Sequence, residues 1–197
     1  MGLFQKLGVY AKVMRRARRP FEALPLLRRR PALFLGVNLF EVAQLTSGRV
    51  DTRLKTLAEL KTASLVGCEF CCDIGTALGR ALGITEQQLL DLHRYESSPA
   101  FDELDRLVLD LAVVMARTPT VMPDDLMARL RAHFDERQLV ELTSAIAWEH
   151  YRGRFNQVFG IQPSGFSEGT FCVLPENPRG TEMNGDLKPG RIEMPAA

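Results

Sequence analysis

The chain has 197 residues, 46% of them hydrophobic and 25% charged, with a net charge of +1. This composition suits a globular protein that buries a core without disulfide staples, and its apolar runs are too short to span a bilayer. The N-terminus lacks the central apolar block of a signal peptide. The chain is therefore read as cytoplasmic, where clustered cysteines serve catalysis or metal binding more often than structure.

The small net charge hides an asymmetry. Residues 1–30 carry nine Lys or Arg and one acid, Glu22, a net +8, while the rest holds 16 basic and 23 acidic residues, a net −7. Leu3, Phe4, Leu7, Tyr10, Ala11 and Met14 fall at helical spacing, with Lys6, Lys12, Arg15 and Arg16 between them. This predicts a basic amphipathic helical extension over residues 1–30. Such a helix suits an anionic membrane or a nucleic acid. The charge asymmetry favours instead docking of its apolar face on the chain's own acidic body or on another subunit.

Pro20, Pro25 and Pro31 break the start into short helical pieces. Leu33 to Thr46, LFLGVNLFEVAQLT, is almost wholly apolar and predicts a helix that is buried or at an interface. Ser47-Gly48-Arg49 reads as a turn. Asp51 caps a helix to about Val66, with Leu54, Leu57, Leu60 and Ala63 inward. A cysteine-bearing helix follows and stops at Gly83. Thr85 with Gln88 is a capping-box pattern opening a short helix to His93. Pro99 starts a helix to about Arg117, with Leu104, Leu107, Val108, Leu111, Ala112 and Met115 on one face, and Pro123 starts another. Asp135 with Gln138 opens a helix through Trp148, read as core, to about Phe159. No period-two strand pattern rises above this, so the fold is predicted to be all-α, with its main domain at residues 31–160. Residues 160–197 hold six of the 15 glycines and five of the 11 prolines. Residues 161–197 therefore read as an irregular C-terminal arm that becomes a tail from Asn177.

The chemistry concentrates in GCEFCCDIGTALGRALG, Gly67 to Gly83, which holds three of the four cysteines. With Cys68 at a helix start, Cys71 at i+3 and Cys72 at i+4 lie on its side. Free backbone N–H groups and the positive end of the helix dipole favour a thiolate there. A neighbouring thiol can then close a disulfide after oxidation. Redox chemistry leads this reading. Small core residues come second and a metal site last, because Cys172, His93, His133 and His150 stand at no finger-like spacing. Cys72 is read as a core-filling thiol or a competitor for Cys68. Gly75, Gly79 and Gly83, spaced by four, provide either room for a substrate or close approach of another helix. Asp73 reads as a first-turn acid that stabilises the helix start.

KTASLVGCEFCCDIGTALGRALGITEQQL and the closing segment AWEHYRGRFNQVFGI resemble the alkylhydroperoxidase D and carboxymuconolactone decarboxylase superfamily over about residues 40–160. The resemblance implies an all-helical fold, a homo-oligomer, and neither metal nor flavin as cofactor. It implies that Cys71 attacks a peroxide and Cys68 forms the disulfide, which a dithiol partner reduces. The redox branch places a glutamate twelve residues before the first cysteine and a histidine four after the second. This chain has Thr56 and Gly75 there. Those residues form the relay that activates the thiol, and general-base help is worth about 10²–10⁴-fold. Candidates for a displaced relay are Glu59, on the helix of Thr56, and Glu149 or His150 on the late helix. The plainer readings are a solvated Glu59 beside Lys55 or Lys61 and a Glu149–Arg152 helix pair. The leading expectation is a thiol-dependent redox protein, a weak peroxidase or dithiol–disulfide oxidoreductase acting on a peroxide or disulfide. Its rivals are a non-catalytic helical oligomer binding a small apolar ligand or a protein, and a decarboxylase-like non-redox enzyme.

Overall fold

In the computed structural model residues 2–18 and 22–167 are described, and every regular element among them is helical. The order is α1 (Leu3–Met14), α2 (Ala23–Arg28), α3 (Pro31–Thr46), α4 (Thr52–Val66), α5 (Glu69–Ala81), α6 (Glu86–Asp91), α7 (Glu103–Ala116), α8 (Asp124–His133) and α9 (Glu136–Val158). A short 3-10 turn, Leu92–Arg94, follows α6. The expected tail and Cys172 lie outside the described residues.

Local chemistry sets most boundaries. The Asp51 carboxylate accepts from the Arg53 amide at the start of α4, and Gly67 ends that helix at φ +79°, a conformation open to glycine. Capping boxes open α6 at Thr85–Gln88 and α9 at Asp135–Gln138, as predicted. One boundary moves: α7 begins at Glu103 rather than at Pro99. Asp102, whose carboxylate accepts from the Asp105 amide, is a better cap than the proline. The cysteine helix is regular only to Ala81, and Gly83 follows at φ +90°.

Helix α4 is the axle, packing against α5, α7 and α9. Leu54, Leu57, Leu60 and Ala63 are buried as expected, with Leu107 and Leu111 of α7 and Leu142 and Ile146 of α9 in the same core or beside it. Yet α4 also buries two lysines. Lys55 pairs with Glu141 and donates to the Ser47 carbonyl, while Lys61 donates to the Leu92 carbonyl and lies 4.8 Å over the Tyr95 ring. Buried ammonium groups are tolerable only when paired in this way.

The N-terminal helix docks on the chain's own body, but by a face that overlaps its apolar stripe only in part. Lys6 and Val13 are buried and Val9 and Tyr10 half-buried, whereas Phe4, Leu7 and Met14 of the stripe are exposed. The Lys6 ammonium donates to the Ser47 carbonyl at 2.6 Å, within the docked face. Helix α3 also departs from simple burial. None of its residues is buried, and Leu33, Leu35, Leu39 and Val42 are exposed. Trp148 is half-buried rather than core, stacked on Tyr151 at 4.7 Å and 4.4 Å from the Phe40 ring of α3.

Candidate active site

Gly67 reverses the chain between α4 and α5 and delivers Cys68 as the N-cap of α5. The Cys68 sulfur accepts from the Cys71 amide at 3.2 Å, doing the work a serine or aspartate usually does at this position. Cys68 and Cys71 are disulfide-linked, with Cα atoms 5.3 Å apart. Cys72, fully buried, points into the small core formed with Phe70, Ala77 and Phe166. Of the three thiols, it is the one that fills space.

Helix α9 crosses this pair closely because Gly153 has no side chain. A Cβ there would lie 3.0 Å from Val66 Cγ1 and 3.5 Å from Cys68 Cβ. One turn on, the buried Asn156 amide reaches 3.5 Å from Cys71 Sγ and 3.8 Å from Cys68 Sγ. Asn156 was not singled out in the sequence. Its spacing of seven from Glu149 was the available signal, since the two share a helix face.

A cavity of about 570 Å³ opens beside the pair. Cys71 lines it and Cys68 does not. Its walls come from α1, α2 and α3 on one side and from α4, α5 and α9 on the other, and they are mainly apolar. Thr56 and Gly75 both line it, so the two positions where the resemblance expects the relay do face the thiol cavity. A Cβ on Gly75 would stand 2.9 Å from Leu60 Cδ1, so the glycine also serves the close approach of α4.

Arg152 is the polar hub. Its guanidinium lies 2.6 Å from Glu149, 3.1 Å from Glu59 and 3.3 Å from Glu41, carboxylates supplied by α9, α4 and α3. Glu59 is thus paired across helices, and is not a solvated partner of Lys55 or Lys61. Burial pushes the Glu149 carboxyl up to about 7, against the pull of Arg152. Glu149 is 4% exposed, and its Oε1 has no hydrogen-bond partner among the described residues. Burial raises Glu59 as well, again against Arg152. Burial works against the Arg152 charge too, but the carboxylates outweigh it and hold the guanidinium firmly protonated.

The sequence candidates therefore divide. Cys71, Glu59 and Glu149 line the one cavity, and Cys68 sits directly behind Cys71. His150 does not line it. Its Nδ1 is 2.6 Å from Arg154 Nη1, and burial together with that cation lowers its pKa. Asp73 does something other than stabilise a helix start. Its carboxylate accepts from the amides of Gly165, Phe166 and Ser167 and from the Ser167 hydroxyl, pinning the C-terminal arm to the cysteine helix. No group of three or more possible ligands stands together as a metal site among the described residues. No helix there is long and apolar enough to cross a membrane.

The chain is 33% identical over 148 residues to the uncharacterised Escherichia coli protein YnjA, covering 74% of this chain and 78% of YnjA. It is 30% identical over 98 residues to the uncharacterised Bacillus subtilis protein YdfG, covering 49% of this chain and 67% of YdfG. No protein-family profile matches it. Among solved structures, it is similar to an Agrobacterium tumefaciens protein of unknown function that is suggested to be an antioxidant defence protein AhpD. The TM-score is 0.66 at 27% identity, over 75% of this chain and 97% of that one. The debrominase Bmp8 shares the fold at a TM-score of 0.65 and 16% identity, over 72% of this chain and 76% of that one.

Proposed function

The chain belongs to the alkylhydroperoxidase D-like and carboxymuconolactone decarboxylase superfamily, and on that premise we propose that it is a cytoplasmic thiol peroxidase working through Cys71 and Cys68. The observation that carries this reading is the asymmetry of the pair: Cys71 lines a mainly apolar cavity while Cys68, linked to it, does not. A nucleophile needs access to substrate, and a resolving thiol needs access only to the nucleophile.

In the proposed cycle, the Cys71 thiolate attacks the distal oxygen of a hydroperoxide. The O–O bond breaks, an S–O bond forms, and the alcohol leaves with a proton. Cys68 then attacks the sulfenic sulfur, an S–S bond forms and water departs. A dithiol partner restores both thiols by exchange. The Asn156 N–H donates to the sulfur and favours the thiolate. Glu149, with its carboxyl at about 7 and a free oxygen, lines the same cavity as Cys71; it takes the Cys71 proton through a molecule bound between them and returns one to the leaving alkoxide. Glu59 and Glu41 hold the Arg152 guanidinium beside Glu149, and Thr56 is left as a cavity wall. The exposed apolar face of α3 supports assembly as a homo-oligomer.

Peptide mapping after one equivalent of peroxide tests the cycle. The expected result is a Cys68–Cys71 disulfide in wild type, a dimedone adduct on Cys71 in Cys68→Ser, and no peroxide consumption in Cys71→Ser. Unreactive thiols in the reduced protein would overturn the reading in favour of a binding protein. A Cys68–Cys72 link would overturn the pairing.

A further inference from the structure

The cavity is lined by six acidic or basic side chains, and their partners bear on what can enter it. Lys6 and Lys55 both donate to the Ser47 carbonyl, and Lys55 also pairs with Glu141. These two cations gather beside the 47–55 segment, Lys55 one turn of α4 from Glu59. Nearer the thiols, among the described residues, the cation is Arg152, held by three carboxylates, Glu41, Glu59 and Glu149. Arg152 precedes Gly153, which packs on Cys68, and stands one helical turn before Asn156, which touches Cys71. The acid-rich end is therefore the thiol end. Three carboxylates against one guanidinium leave this end with an excess of acidic groups.

The acid cluster is accompanied by an unsatisfied group. Glu149, 96% removed from solvent and lining the cavity, keeps Oε1 without a partner among the described residues. A buried polar oxygen left bare is costly unless a ligand supplies its hydrogen bond. The remaining lining is apolar and aromatic, with Tyr10, Phe70, Tyr151 and Phe155 among it, and about 570 Å³ is far more than a bare peroxide fills.

We propose that the Glu41–Glu59–Glu149 cluster around Arg152 is a charge filter. It admits to Cys71 an uncharged or cationic molecule with an apolar body and a hydrogen-bonding head, and it excludes carboxylates and other anions. This rests on the peroxidase reading for its biological substrate but concerns access to the thiol alone. Among the described residues, the cation at the thiol end, Arg152, is committed to three carboxylates, so an anion would face the excess acid charge at short range. Glu41 is the specificity-determining residue most open to test, because it is the outermost of the three, its side chain 41% exposed.

The experiment measures the second-order rate at which reduced protein is modified at Cys71, located by peptide mapping. It uses three methanethiosulfonates of similar size: neutral hydroxyethyl, cationic trimethylammonioethyl and anionic sulfonatoethyl. Each rate is divided by that for free cysteine. The neutral and cationic reagents should exceed the anionic one by at least about tenfold, the effect of one net charge at several ångströms in a partly buried site. Glu41→Gln, a nearly isosteric change at a part-exposed position, should bring the ratio at least threefold closer to that of free cysteine. A wild-type ratio equal to that of free cysteine, or a ratio unmoved in Glu41→Gln, overturns the filter. Turnover of organic hydroperoxides is read separately. Selectivity without turnover defeats the peroxidase reading and leaves the filter standing. Turnover without selectivity does the reverse.

Discussion

Glu149→Gln separates a proton-handling carboxylate from a structural one. Glutamine keeps the length and one oxygen toward Arg152, which retains Glu59 and Glu41 as partners. With its carboxyl at about 7, Glu149 is about half ionised at neutral pH, so wild-type oxidation of Cys71 should rise through pH 7 as the base form fills. The assay is stopped-flow loss of Cys71 thiol with excess hydroperoxide between pH 5.5 and 8.5. At pH 8 the variant should be at least about tenfold slower, below the usual range for general-base help because the thiolate retains some reactivity. Its remaining pH dependence should be that of the thiol alone. The same carboxyl has a signature in stability. Its folded pKa lies above the ordinary 4.5, so between about pH 4.5 and 7 the folded state keeps a proton that the unfolded state has released. Stability should fall as pH rises through that window and level off above it. Glu149→Gln should show a smaller drop in Tm between pH 5 and 8 than wild type. A rate within twofold of wild type at pH 8, with the same inflection near 7, would refute the role given to Glu149.

Asn156→Leu removes the N–H directed at Cys71 and should raise its thiol pKa by about one to two, the worth of a hydrogen bond to a charged group. Oxidation would then slow about tenfold at pH 7 and recover above pH 9, which alkylation rates against pH would show; recovery failing would point to misplacement of α9 instead. Asp73→Ala deletes four hydrogen bonds to residues 165–167 and should cost roughly 3 kcal/mol in urea unfolding. Amide exchange should rise first at Gly165–Ser167 while the Cys68–Cys71 disulfide still forms. Leu39→Glu places a charge on the exposed face of α3, where Leu39 is 61% exposed. Light scattering should show an oligomer for wild type and a lower mass for the variant, with unchanged circular dichroism; a wild-type monomer would exclude the assembly.

What could be read in the sequence was what the chain settles locally. The caps at Asp51, Thr85 and Asp135 and the inward leucines of α4 depend on neighbours within a turn or two, and each stands where expected. The cysteine pair was legible for the same reason. The hub was not. Arg152 gathers carboxylates from positions 41, 59 and 149, and only the last is close in sequence. Helical spacing suggested the 149–152 pair and nothing about the other two. Asp73 was misread because a carboxylate near a helix start has a local explanation, and its true partners lie more than 90 residues away. The docked face of α1 escaped for a third reason. Amphipathicity points to the stripe, but the buried Lys6 contact with Ser47 belongs to the docked face, which keeps only Tyr10 of the described stripe residues partly buried.

The hub also gives a physical reason why the family's relay positions can be vacant here. A histidine at position 75 would bring a Cβ to 2.9 Å from Leu60 Cδ1, so the buried Leu60 side chain would have to move to admit it. Thr56 is buried and short, and a carboxylate there would be a fourth acid in a cavity whose one cation at the thiol end already holds three. Such an addition would raise the pKa of every acid in the group and of the thiol beside them. The same burial that makes extra acids costly is what holds Glu149 near neutrality, with one oxygen uncommitted. Packing at Gly75 and charge at Arg152 thus favour the same arrangement. The proposed proton handling on α9 leaves the Leu60 packing at Gly75 undisturbed, whereas a histidine at position 75 would have to displace it.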